Sequence, residues 1–154
     1  MAKRLQFALF AGALVVASLS LGLRPAGAGG EEVDVIVNKA NPTGDLPLVD
    51  ARKFFMGDKS TWSNGKRVTI LMLAPGQPER AVALREIYKM SEGDYAKYFM
   101  QAAFQGKVAA PPKDVASGAQ MKQAIADNAG AIGYVKKEDV DDTVKVILKI
   151  QRVL

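Results

Sequence analysis

The 154-residue sequence predicts an α/β domain, a small mixed β-sheet flanked by helices on both faces. Three observations carry that expectation. Short β-branched runs alternate with helix-length amphipathic segments in the order β-α-β-α-α-α-β-β. The strands look largely buried, Val68–Leu73 most clearly, since it is apolar enough to be covered on both sides. Cys and His are both absent, so a core of aliphatic and aromatic side chains must hold the fold without disulfides.

Residues 1–28 read as a cleavable signal peptide. Lys3 and Arg4 precede an uncharged run from Leu5 to Leu23, and Arg24-Pro25 leads into Ala26-Gly27-Ala28, an A-x-A cleavage pattern. An uncleaved anchor is the competing reading, because that run is nearly long enough to span a bilayer; the small residues at 26 and 28 favour cleavage. The expected product is one exported domain, residues 29–154, periplasmic or secreted, which touches the membrane only through the leader.

The 21 Lys and Arg outnumber the 16 Asp and Glu, but Lys3, Arg4 and Arg24 fall in the leader. The exported form therefore carries a net charge of +2 (18 basic against 16 acidic residues). No basic run remains that would make nucleic acid the expected partner. The lack of histidine removes His-dependent triads and most zinc sites, and no pair of carboxylates stands out for acid–base work. No catalytic residue, metal or cofactor is expected. Asp139, Asp141 and Asp142 lack the glycine and terminal Glu of a calcium loop and read as a solvated turn.

In chain order, Val33–Val37 reads as a strand, and Asn38–Asp45 is turn chemistry throughout. Pro47 opens a helix whose apolar face is Leu48, Ala51, Phe54 and Phe55, and Gly57 stops it. Trp62 precedes an Asn64-Gly65 turn and is expected to plug the edge of the core. The strand Val68–Leu73 passes through Ala74-Pro75-Gly76 into a helix with Gln77 as cap, Pro78 in the first position, and Ala81, Leu84, Ile87 and Tyr88 facing inward. Ser91 and Ser117 open two further helices as capping-box residues. The first packs through Tyr95, Tyr98, Phe99 and Ala102 and ends at Gly106; the second packs through Met121, Ala124 and Ile125 and ends at Gly130. Pro111-Pro112 between them reads as a stiff loop. Two strands close the domain: Ala131–Val135, where Gly133 should let a helix approach closely, and Val144–Ile150, with Val144, Val146, Leu148 and Ile150 on one face.

Several landmarks together carry a resemblance: Phe55-Met56-Gly57 with Trp62-Ser63-Asn64-Gly65, then Phe104-Gln105-Gly106 with Pro111-Pro112, then Gly130-Ala131-Ile132-Gly133-Tyr134-Val135. From Val33 to Ile150 the chain resembles the phosphate-type substrate-binding proteins of ABC transporters, and more closely their short single-lobe members. The resemblance implies one lobe of a type II periplasmic-binding-protein-like fold. It also implies an oxyanion such as phosphate as ligand and the membrane components of an ABC transporter as partners. In the two-lobed proteins the second lobe's share of the site follows the strand equivalent to Val68–Leu73, with an Arg and an Asp upstream of an S-G-T element. The matching stretch here is Ala74–Arg80, in which Gln77-Pro78-Glu79 lacks the hydroxyls.

The candidate ligand-binding residues are therefore Gly76, Gln77 and Arg80 at the start of the helix, where amides and the helix dipole attract anions. Arg85 could add a forked donor, and Asn41 and Thr43 lie after a strand's carboxyl end, where α/β sheets place ligands. Three charge-assisted hydrogen bonds supply roughly 5–8 kcal/mol gross, and immobilising the ligand costs at least about 4 kcal/mol. The remainder corresponds to roughly millimolar affinity, so firm capture would require a second lobe from a homodimer or a partner. The competing expectation is an envelope interaction module that kept the lobe and lost the ligand.

Overall fold

The computed structural model describes residues 32–151; the leader expected over 1–28 lies outside them. The β-branched run forms β1 (Val33–Asn38), buried from Val33 to Val37. Pro47 opens α1 (Leu48–Phe55), which buries Ala51, Phe54 and Phe55. Gly57 ends it at φ +77°, and a Cβ there would lie 2.3 Å from Val108 Cγ1, so backbone angle and available space both require glycine. After β2 (Thr69–Leu73) comes α2 (Pro78–Ala83), continued by a π turn over Leu84–Tyr88 and stopped by Lys89 at φ 56°. The rest of the chain forms α3 (Glu92–Phe104), β3 (Lys113–Val115), α4 (Gly118–Asp127), β4 (Ala131–Lys136), a 3-10 turn at Lys137–Asp139 and β5 (Val144–Ile150). No helix among the described residues is long and apolar enough to cross a membrane.

The strands form one sheet in the order β3-β2-β4-β1-β5. β2 lies parallel to β3 and β4, whereas β1 is antiparallel to β4 and β5. α4 covers one face. Gly133 makes that possible, since a Cβ there would sit 2.4 Å from Met121 Sδ and 3.1 Å from Ile125 Cδ1. Tyr134 points to the other face and meets the Phe55 ring at 6.5 Å; Phe55 and Tyr88 pack edge to face at 5.8 Å. Tyr95 and Phe99 of α3 extend this cluster through Tyr88. The mixed sheet with helices on both faces is thus the architecture the sequence predicts. Trp62 is buried as a plug, its ring stacked on Phe54 at 4.2 Å and its Nε1 donating to Gly130 O at 3.0 Å.

Four local expectations need correction. β3 stands where only a stiff loop is expected after Pro111-Pro112; three residues with two of them exposed leave no hydrophobic signature. Ala81 is exposed, while Val82, Ala83, Leu84, Ile87 and Tyr88 are buried: the π turn changes the helical phase behind it. In β5 the buried residues are Val144, Ile147 and Ile150, not an alternating set. The register against β1 slips between Val35, opposite Leu148, and Ile36, opposite Val146. Ile147 is the extra residue of this bulge, and its carbonyl accepts from Leu46 N–H at 2.8 Å. Finally, α4 ends at Asp127, before Gly130, which instead lies buried against the chain entering β2.

Both serine caps form. Ser91 Oγ accepts from Asp94 N–H at 3.1 Å and Ser117 Oγ from Gln120 N–H at 3.2 Å. Ser117→Ala is expected to cost about 1 kcal/mol of stability, measured as a lower urea midpoint with an unchanged m-value. A shift within error would mean that solvent serves the α4 amides equally well.

Candidate functional site at the carboxyl ends of the parallel strands

Because β2, β3 and β4 are parallel, Leu73, Val115 and Lys136 end at the same side of the sheet. That is where open α/β sheets hold ligands. The loops leaving it are tied together. Ala74 N–H donates to Val115 O at 2.8 Å, and Gln77 Nε2 donates to Ala116 O at 3.1 Å. Gln77 is therefore a cross-loop strut and not the side-chain cap of α2. Gly76 makes the turn at φ +90° with nothing within 4 Å of a would-be Cβ, leaving its face open.

Arg80 is the centre of this end. It is 4% exposed, and its guanidinium lies over the Tyr95 ring, 5.1 Å from the centroid. Nη1 donates to Leu73 O at 2.6 Å and to Asp114 Oδ1 at 3.0 Å; Nε and Nη2 fork onto the Glu92 carboxylate at 3.0 and 2.5 Å. Of the five N–H donors an arginine carries, a single one at Nη2 is left. Burial opposes the charge, but the hydrogen bonds to Glu92 and Asp114 outweigh it and raise the guanidinium pKa, keeping it ionised. The same bond from Arg80 holds the Glu92 carboxyl below its ordinary 4.5.

A third carboxylate, Glu79, is buried nearby. Its Oε1 stands 3.4 Å from Lys136 Nζ, and its Oε2 has no hydrogen-bond partner among the described residues. Against Arg80 and Lys136 this end thus sets Glu79, Glu92 and Asp114. Such a balance resists an added anion, whatever the backbone amides contribute.

Gly76, Gln77 and Arg80 lie along the turn into α2 at this end of the sheet. Asn41 and Thr43 are elsewhere: β1 runs opposite to β4, and so to β2, which carries its carboxyl end to the far side of the sheet. There Asn41 is buried, its Oδ1 accepts from Thr43 N–H at 2.9 Å, and Lys145 Nζ donates to its carbonyl. Thr43 lines a different, shallow pocket of about 510 Å3 with Leu46, Phe54, Lys59 and Trp62. Arg85 sits on the exposed surface of the π turn and donates to Glu86 at 2.7 Å. Missing from the sequence reading were Glu92 and Asp114, the two residues that occupy Arg80. Beside them opens a mainly apolar groove of about 690 Å3, walled by Pro75, Tyr95, Met100, Phe104, Pro111 and Pro112.

The fold these elements define is that of one lobe of a phosphate-type ABC substrate-binding protein. Three solved structures share it. An ABC-type phosphate transport receptor from Vibrio cholerae is 19% identical, with a TM-score of 0.55, over 76% of this chain and 45% of the receptor. A protein of the phosphate ABC transporter substrate-binding type with bound phosphate, from Clostridium perfringens, is 21% identical with a TM-score of 0.59, over 76% of this chain and 44% of that one. PstS from Borrelia burgdorferi is 10% identical with a TM-score of 0.55, over 76% and 46%. The chain thus spans less than half the length of each. No family model matches the chain, and no curated protein does.

Proposed function

We propose that this chain is an exported, non-enzymatic substrate-binding lobe that serves an ABC phosphate transport system and takes a phosphate-like oxyanion weakly. The observation that carries this reading is the agreement in fold with phosphate receptors, one of them with phosphate bound. Gly76, Gln77 and the last N–H of Arg80 are the groups proposed to meet the anion. Asn41, Thr43 and Arg85 stand outside that site. Weakness follows from the site's own electrostatics, because the one forked donor is already neutralised by Glu92 and Asp114. Isothermal titration at constant ionic strength with phosphate, sulfate and arsenate is expected to give dissociation constants of about 1 mM or weaker. Absence of heat at about 10 mM of each anion would remove the reading, and micromolar capture would refute its electrostatic basis.

A second reading is an interaction module of the cell envelope that retains the lobe without the ligand. The observation favouring it is that four of the five N–H donors of Arg80 are already engaged, beside an apolar groove. A stable protein partner recovered together with no anion heat would decide for it.

A further inference from the structure

We propose that the pocket between residues 43–46 and 58–63, at the opposite end of the sheet from Arg80, binds the phosphate group of a small organic phosphate monoester. The segment 58–67 leads into the start of β2, whose five residues put the length of the strand, roughly 15 Å, between this pocket and the Gly76 turn. Four hydroxyl side chains line it: Thr43, Ser60, Thr61 and Ser63. None of these hydroxyls is engaged in a hydrogen bond among the described residues.

Two cations stand by without a carboxylate of their own. Lys59 lines the pocket, its Nζ 5.4 Å from the centroid of the Phe54 ring in the same wall. Arg67 is the antiparallel bridge partner of Thr61, so its side chain leaves the same face of that short ribbon, beside the Thr61 hydroxyl. Neither forms an ion pair among the described residues. The acids nearby are taken: Asp58, in the lining, pairs with Lys107 at 2.8 Å, and Asp50 with Lys53 at 2.7 Å, Lys59 acting on Asp50 only from a distance. A phosphate monoester carries a charge of about −1.5 to −2 and three strong acceptor oxygens. Two uncommitted cations and four free hydroxyls match that demand. The Arg80 end offers the reverse, cations already facing carboxylates and no hydroxyl at residues 77–79. Size favours an ester over a bare anion. The volume of about 510 Å3 falls within the roughly 300–1,000 Å3 of pockets that enclose small organic ligands. Leu46 and the edge of the Phe54–Trp62 stack give the organic part an apolar wall. The site stands or falls independently of oxyanion binding near Arg80.

Amide NMR of the exported form at constant ionic strength, titrated with phenyl phosphate, inorganic phosphate and phenol, reads the two ends of the sheet separately. Phenyl phosphate is expected to shift the Ser60, Thr61 and Ser63 amides saturably, with a midpoint of about 1 mM or below. Inorganic phosphate should do so several-fold more weakly, and phenol should leave them in place. Lys59→Gln and Thr61→Val should each weaken phenyl phosphate by about tenfold, with the amide spectrum elsewhere and the thermal melt unchanged. The proposal is overturned if these amides stay put at about 10 mM phenyl phosphate, if inorganic phosphate or phenol saturates them at the same concentration as the ester, or if Lys59→Gln binds as the parent does. Shifts confined to Gly76 and Gln77 would also overturn it, while upholding the anion site at the other end.

Discussion

Arg80→Met is expected to lower the melting temperature by roughly 10 °C at neutral pH, corresponding to about 2–4 kcal/mol for a domain of this size. Methionine fills much of the volume but supplies no donor. Leu73 O then loses a 2.6 Å hydrogen bond in a buried position, and Glu92 and Asp114 lose their common partner. Breaking a fully buried ion pair costs about 3–5 kcal/mol. Here both carboxylates are about half exposed and can rehydrate, which brings the expectation down. Arg80→Lys keeps the charge without the fork and should fall between parent and Arg80→Met. The pH dependence is a second readout. Glu92 is held below its ordinary 4.5 only in the folded protein. Its contribution is therefore complete above 4.5 and disappears as pH falls through the lowered folded value. The gap between parent and Arg80→Met should narrow from pH 7 to pH 3. A gap that widened in acid would mean that Glu92 does not hold Arg80. Unchanged stability with all phosphate heat abolished would make Arg80 a ligand group and not a pin.

The elements that could be read from sequence are those whose cause is local. Ser91 and Ser117 cap because a hydroxyl three residues before a free amide reaches it; Gly57 stops α1 because the chain there needs a positive φ. Trp62 as plug and Gly133 as the point of close helix approach have tertiary partners, but residue type alone announces them: a large indole is driven to burial and a glycine within a strand leaves room for a neighbour. What sequence could not show was pairing across the chain. The insertion of β1 antiparallel between β4 and β5 is a tertiary choice, and it alone separates Asn41 and Thr43 from Gly76 and Arg80. Arg80 meets Asp114 from 34 residues away, and Asp114 belongs to a three-residue edge strand with too little hydrophobic pattern to announce itself. Ile147 shows the limit of periodicity, since a single bulge exchanges the faces of a strand whose alternation looks regular.

Gly130→Ala is expected to destabilise the domain by about 3 kcal/mol or more, because its methyl group meets backbone. The added Cβ would lie 2.0 Å from Arg67 O and 3.2 Å from Arg67 C, atoms that cannot rotate aside. Relief requires the chain entering β2 to move away from the start of β4. That movement pulls on the Gly130 carbonyl, which accepts from Thr69 N–H at 2.9 Å and from Trp62 Nε1 at 3.0 Å. A buried indole N–H left without an acceptor adds about 1–3 kcal/mol to the steric cost, and the Trp62–Phe54 stack loosens with it. Gly133→Ala provides the comparison. Its Cβ also meets an atom too close, at 2.4 Å, but that atom is Met121 Sδ, on a flexible thioether that can turn. A loss of only about 1–2 kcal/mol is expected there. Trp62 is the one tryptophan of the chain, so its emission reports the junction directly. Gly130→Ala should shift it to the red in the folded state, and Gly133→Ala should leave it where it is. If Gly133→Ala proved the costlier of the two, the domain would be limited by the packing of α4 on the sheet, and the close backbone contact between Arg67 and Gly130 would not be the constraint that aligns β2 with β4.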